Sequence, residues 1–212
     1  MSDPCDTPRA GAFYQSAYDV TRIFDYVQAV MPGVTTDMVS LVIWQAIEDF
    51  YIRSTYKREH VYWCLASGET TLDFDPYNSY WRVCRFMGFC GLSNPKFMPP
   101  GRVVDLTCPV PDSERRGEAI LALKPHSYDT ELPYDVMTTY WEAIASGALY
   151  RLFMQPGKPY ADLNSAGMHA KMNRSGIASA RAAAQAQHLR EAAPWSFPYF
   201  ATGGRASGRQ GL

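Results

Sequence analysis

The stretch GALYRLFMQPGKPYADLN, residues 147–164, decides how this chain folds. A Gly-Lys pair after an apolar run either opens a phosphate-binding loop or turns the corner of a helical hairpin. The phosphate loop needs glycine at position 152, so that backbone N–H groups can wrap the phosphates, and Ser or Thr at position 159 to hold magnesium. Here those positions are Leu152 and Pro159, and proline has neither a hydroxyl nor an N–H. The preceding segment also has the period of a helix, where the motif requires a strand. Pro156, Gly157, Lys158 and Pro159 therefore read as a rigid corner: the prolines fix φ, glycine permits the reversal, and Lys158 is free to cap carbonyls or reach a neighbour.

Helices are expected on both sides of that corner. Upstream, Val136, Met137, Tyr140, Trp141, Ile144, Ala148, Leu152 and Phe153 form one apolar stripe, which predicts a helix over 133–154 with Pro133 in its first turn. Ala145 and Gly147 on the same segment permit a close helix–helix approach. Downstream, Asp162 is placed to cap a long helix over 162–192. Alanine favours that helix locally. Its larger apolar residues Leu163, Met168, Met172, Ile177 and Leu189 are widely spaced, so it buries little by itself. It is expected to lie across other helices or other subunits.

Two further helices precede these, over 20–30 and 36–56. In the second, Val39, Val42, Ile43, Ala46, Ile47, Phe50 and Tyr51 recur at helical spacing, and Thr35 or Thr36 is the expected N-cap. From Glu59 the period changes to aromatic and β-branched alternation, and residues 59–124 read as about four or five short strands. Pro76, Pro95, Pro99 and Pro100 exclude long helices there. The fold class is α+β: mainly a bundle of about four helices with a β-rich insertion between the second and third. Residues 1–18 form an N-terminal arm and 194–212 an extended C-terminal tail.

Composition sets the limits. At 212 residues, with 47% hydrophobic and 14% aromatic side chains, the chain has ample material for one core. Its net charge of −1 is unevenly spread, about −7 before Arg151 and about +6 from there onward. Such polarity can steer subunits onto one another or onto an acidic partner. There is no apolar run long enough to span a membrane and no secretory signal in MSDPCDTPRAG. Cys5, Cys64, Cys84, Cys90 and Cys108 are odd in number and form no C-x-x-C pair, which points to reduced thiols in a cytoplasmic product.

No chemistry-bearing constellation emerges. His60, His126, His169 and His188 stand far apart and form no metal-ligand pair, so no metal and no cofactor are expected. There is no nucleophile elbow, and Ser146 lies inside a helix. Glu48 and Asp49 read as a solvated helix edge, while Asp73 and Asp75 read as turn formers. No catalytic residue is assigned. The tail is different, because Trp195, Phe197, Tyr199 and Phe200 have no core of their own to enter. They are candidates for an interface with a partner protein or another subunit. Arg205 and Arg209, in a Gly/Ser setting, are possible phosphate or DNA-facing contacts.

Three phrases carry a resemblance: PGVTTDMVSLVIWQAIEDFYIRS, LALKPHSYDTELPYDVMTTYWEAIASGALYRLFMQPGKPYAD, and HAKMNRSGIASARAAA. Together, over residues 20–190, the chain resembles the head-to-tail adaptor (connector) proteins of tailed bacteriophages. The likeness rests on Glu131 to Pro133, Glu142 to Leu149, and the corner from Pro156 to Pro159. It implies that residues 19–193 are an adaptor domain of a structural virion protein, not an enzyme. The implied assembly is a closed ring of about twelve subunits. That ring would sit beneath the portal protein, receive tail or nozzle proteins on its other side, and pass genome DNA through its lumen. It implies localisation at the virion head–tail junction, and in the host cytoplasm during assembly, with no membrane partner. The alternative class is a nucleic-acid-associated packaging or regulatory protein using Lys171, Arg174 and Arg181 on the basic C-terminal helix, which would bind DNA with strong salt dependence.

Overall fold

In a computed structural model of the chain, the described residues are 17–18, 20–65, 71–73, 81–89, 96–97, 103–105, 115–126 and 132–191. The fold is α+β. A short strand β1 (Ala17–Tyr18) leads to helices α1 (Thr21–Val30) and α2 (Thr36–Ser54). Six strands follow: β2 (Arg58–Leu65), β3 (Thr71–Asp73), β4 (Trp81–Phe89), β5 (Lys96–Phe97), β6 (Val103–Asp105) and β7 (Arg115–Pro125). The chain then forms β8 (Leu132–Pro133), α3 (Tyr134–Thr139), α4 (Trp141–Phe153) and α5 (Leu163–Glu191). Among the described residues no helix is long and apolar enough to cross a membrane.

Three antiparallel sheets organise the described strands. The main sheet has β7 at its centre, flanked by β2 and β4. A smaller sheet has the order β3-β6-β5, and β1 pairs with β8 so that Ala17 faces Pro133. The expected handful of short strands is corrected here: β4 and β7 are 9 and 11 residues long. Two irregularities, at Val83/Arg85 and Phe86/Gly88, let β4 stay paired along its long partner by bending rather than stopping. Alternate residues of β7, Ala119, Leu121 and Leu123, are buried against the helical side, where β7 packs on α2. The Lys124 ammonium donates to Glu48 at 3.0 Å and ties the same two elements together.

The core begins on α2, whose nine buried positions include every residue of the apolar set named from the sequence. Its N-cap is Thr35, in extended conformation, but the side chain makes no capping hydrogen bond. Asp37 in the first turn and Arg53 in the last instead complement the helix dipole. At the other end Thr55 takes a left-handed conformation, φ 51°, uncommon for a β-branched residue. Several bonds hold it there: its N–H donates to the Tyr51 carbonyl at 2.9 Å and its hydroxyl to the Ser54 carbonyl at 2.7 Å, while Arg58 Nε donates to the Thr55 carbonyl at 3.1 Å.

The helix expected over 133–154 is two helices. The break falls at Tyr140, φ −117° and ψ 7°. The Thr138 hydroxyl donates back to the Tyr134 carbonyl at 2.9 Å, a contact that competes with regular helix and bends it. The Tyr140 ring, meanwhile, packs on Phe50 and Tyr56 at centroid distances of 5.5 and 5.4 Å. Tyr56 in turn donates its hydroxyl to Asp135 at 2.7 Å, fixing α3 against the end of α2. Pro133 precedes the first turn of α3 and belongs to β8 rather than to the helix.

A second correction concerns α4. One apolar stripe was expected, yet Ala143 to Leu149 are all buried, as is Leu152. The helix is enclosed because α1, α2 and α5 all pack on it. Small side chains make this possible. A Cβ at Gly147 would come within 2.6 Å of the Asn173 amide nitrogen on α5 and 3.2 Å of Ala46 Cβ on α2. A Cβ at Gly176 on α5 would overlap the Ala143 methyl. Where the helices come this close, the Asn173 Nδ2 donates to the Ala143 carbonyl at 2.8 Å, a buried bond that satisfies a polar group at the contact.

Two glycines of α5 therefore respond in opposite directions to the same change. Gly167→Ala, with nothing within 4 Å of the added methyl, is expected to stabilise the chain by about 0.5–1 kcal/mol through helix propensity. Gly176→Ala forces α4 and α5 apart and is expected to destabilise by about 1–3 kcal/mol despite the same propensity gain. Urea unfolding midpoints of the two variants check this; a stabilised Gly176→Ala protein would contradict the helix spacing.

Candidate assembly site on the helical hairpin

The corner between α4 and α5 is built from its own backbone and two side chains. Gly157 adopts φ +74°, the left-handed conformation that ends a helix, and Pro156, Lys158 and Pro159 are exposed around it. Gln155 N–H donates to the Leu152 carbonyl at 3.1 Å, Ala161 N–H to Lys158 at 3.0 Å, and Asp162 N–H back to Phe153 at 3.2 Å. The Tyr160 hydroxyl donates to Gln155 Oε1 at 2.7 Å and closes the turn. Lys158 caps no carbonyl, and its ammonium has no partner among the described residues.

Asp162 starts α5. One carboxylate oxygen accepts from Asn164 N–H at 2.9 Å and the other from the Ser165 hydroxyl at 2.5 Å. These bonds favour the ionised form and hold its pKa below the usual carboxylate range. Seven residues on, His169 is buried and its ring stacks on Phe153, 5.6 Å between centroids and 10° from parallel. Its Nδ1 has no hydrogen-bond partner among the described residues, and burial pushes its pKa down.

From there α5 shows an inverted pattern. Among its described side chains the buried positions are Ala166, His169, Asn173, Ile177, Ala180 and Ala184, a stripe recurring every three or four residues in which only Ile177 is a large apolar residue. Leu163, Met168 and Met172 point the other way and are 74%, 57% and 45% exposed. The helix thus rests on α4 and α2 through small and polar residues and Ile177, and shows Leu163, Met168 and Met172 to the outside. At about 1.5 Å per residue its 29 residues span roughly 44 Å, more than twice the length of α4. The signal was present in the sequence as small residues at helical spacing, but a search for large apolar residues passes over it.

The acidic pair on α2 is not a simple solvated edge. Glu48 pairs with Lys124, while Asp49 accepts from Arg53 at 3.1 Å and lies 3.5 Å from Arg151 on α4. The Lys124 and Arg151 pairs are half-buried links between elements. Arg181 on α5 donates through its guanidinium to the Arg53 carbonyl at the end of α2, so that residue is already engaged. Cys64 and Cys84 are half-buried and not joined in a disulfide; the Cys84 thiol donates to the Ala122 carbonyl at 3.3 Å, and burial raises its pKa. Among the described residues no group of three or more potential metal ligands comes together. The candidate interface residues Trp195, Phe197, Tyr199 and Phe200, and the possible phosphate contacts Arg205 and Arg209, lie outside the described residues.

Two outcomes follow from the hairpin. Gly157→Ala is expected to cost about 1–2 kcal/mol from backbone conformation alone, since an added methyl meets nothing within 4 Å; an unchanged urea midpoint would mean the corner can adopt another conformation. For His169 the sign is set by its lowered folded pKa. The unfolded chain takes up a proton near about pH 6.5 that the folded chain resists, so stability is full above that pH and declines below it. Unfolding midpoints at about pH 7.5 and pH 5 should therefore converge in His169→Phe relative to the parent; an equal acid loss in both would remove His169 as a cause.

No protein-family model and no curated protein sequence matches this chain.

Proposed function

We propose that this chain is a structural virion protein, a head-to-tail adaptor of a tailed bacteriophage, acting without catalysis. In this reading the helices form a bundle carrying β2 to β7 as its insertion, and copies of the chain form a closed ring beneath the portal. Tail components attach on the far side, and genome DNA passes through the lumen. The observation that carries the reading is the inverted face of α5. A long helix that spends small residues on its own core and displays Met168 and Met172 to the outside is suited to being covered by a neighbouring subunit. The charge division, about −7 before Arg151 and about +6 from Arg151 onward, supports head-to-tail stacking of one copy on the next. The resemblance in the three sequence phrases points the same way.

The nucleic-acid alternative draws less support. Of Lys171, Arg174 and Arg181, the last is committed to the Arg53 carbonyl, and the remaining two do not make a track for a phosphate backbone. A sliding genome also requires weak contact rather than tight binding.

Electron microscopy of the protein mixed with its cognate portal tests the proposal. The expected result is an added collar of density beneath the portal with the portal's rotational symmetry. Bare portal rings at high protein concentration would overturn it. In the same experiment Met168→Glu combined with Met172→Glu should abolish the collar. Its effect on the stability of the isolated chain should stay within about 0.5 kcal/mol, as expected for exposed positions. A collar that forms normally with the double variant would remove the α5 face from the interface.

A further inference from the structure

A cleft of about 170 Å³ opens where α2, α4 and α5 meet, and Asp49, Arg53, Tyr150, Arg151, Asn173 and Arg174 are among the residues that line it. Three arginines and one aspartate are among its lining residues. Asp49 is shared by Arg53 at 3.1 Å and Arg151 at 3.5 Å, and Arg151 also donates to the Gly147 carbonyl at 2.8 Å. Neither the Arg174 guanidinium nor the Tyr150 hydroxyl has a partner among the described residues. Like charges held together without compensation repel, and the single carboxylate leaves two positive charges unmatched.

We propose that this cleft is a binding site for a phosphate-type dianion, inorganic phosphate or a phosphate monoester. A dianion supplies the two charges the cleft lacks. Each guanidinium carries several N–H donors in a planar fork that suits phosphate oxygens, and among the described residues neither Arg53 nor Arg151 uses all of its donors. Arg174 closes over the ligand from α5, while Tyr150 offers a hydroxyl from α4. The volume is below the roughly 300–1,000 Å³ of clefts that take drug-sized ligands, so the site fits one oxyanion rather than a nucleotide or a strand. A nucleic-acid backbone brings one charge per phosphate along a continuous rod, whereas this site is a single recessed point. Binding here would lock α5 onto α2 and α4, since each of the three helices contributes an arginine. This inference stands apart from the adaptor reading and needs no second subunit.

Calorimetric titration of the full chain with inorganic phosphate, at constant ionic strength made up with chloride, tests it. Saturable binding at one site per chain is expected, together with a raised unfolding temperature. Arg174→Ala should weaken binding about tenfold or more, the loss of one charge-assisted contact, and Arg174→Lys should restore part of it. Lys158→Ala, on the exposed corner away from the cleft, should leave binding unchanged. A parallel titration with glycerol phosphate identifies the source: the tighter of the two ligands is the better match, and binding of either supports the site. A response no greater than that to chloride, or equal binding by the parent and Arg174→Ala, would overturn the proposal. So would a short DNA duplex that binds at the cleft and is not displaced by phosphate.

Discussion

The close approach of α4 and α5 is the contact on which the rest of the arrangement depends. Gly147, Gly176 and Ala143 bring the two backbones together, and Asn173 spans the gap to the Ala143 carbonyl. Replacing any of these by a larger residue separates the helices, and with them the seat of α2 on α4. Because the contact is made by small residues, dispersion and the buried hydrogen bond must supply what large apolar side chains supply elsewhere. The largest fully buried side chains lie instead on α1, α2, α3, α4, β7 and β8, among them Ile23, Phe50, Tyr51, Leu121 and Ile144. This division frees the outer face of α5, which is the feature the functional reading uses.

Electrostatics reinforces the same junction. Asp49 links α2 to α4 through Arg151, Arg181 reaches from α5 to the Arg53 carbonyl at the end of α2, and Lys124 ties the sheet to Glu48. Each pair is half-exposed, and such pairs contribute on the order of 1 kcal/mol or less. Their role is to set which elements meet and in what orientation. The concentration of arginine at that meeting point exceeds what the local carboxylates neutralise, and an excess of that kind invites an anion from outside the chain.

Much of the helical half was legible because its period is unambiguous. The apolar set on α2 is buried as its spacing implies, and Asp162 stands at the start of α5 with its carboxylate bonded to the first turn. The corner was legible because proline and glycine constrain the backbone whatever surrounds them, and Gly157 has the positive φ that such a reversal requires. What could not be read was set by tertiary contact. The break at Tyr140 comes from an aromatic cluster assembled with Phe50 and Tyr56, residues remote in sequence. The enclosure of α4 depends on three partners arriving at once, and a helix rich in alanine and glycine has no periodic mark of being central. Strand lengths were obscured by irregular pairing along β4, where an extra residue shifts the alternation. The cleft of arginines draws on α2, α4 and α5 together, and no sequence spacing connects Arg53, Arg151 and Arg174.

Native-state hydrogen exchange tests the central packing most directly. Amides of α4 from Ile144 to Leu152 should exchange only through global unfolding, and those of α5 around Asn173 and Ile177 should approach the same protection. Amides near Asn173 and Ile177 that exchange as freely as exposed helix, while α4 stays protected, would show that α5 is not held by the small-residue contact. The hairpin would then not be the frame on which the outward face and the arginine cleft are built.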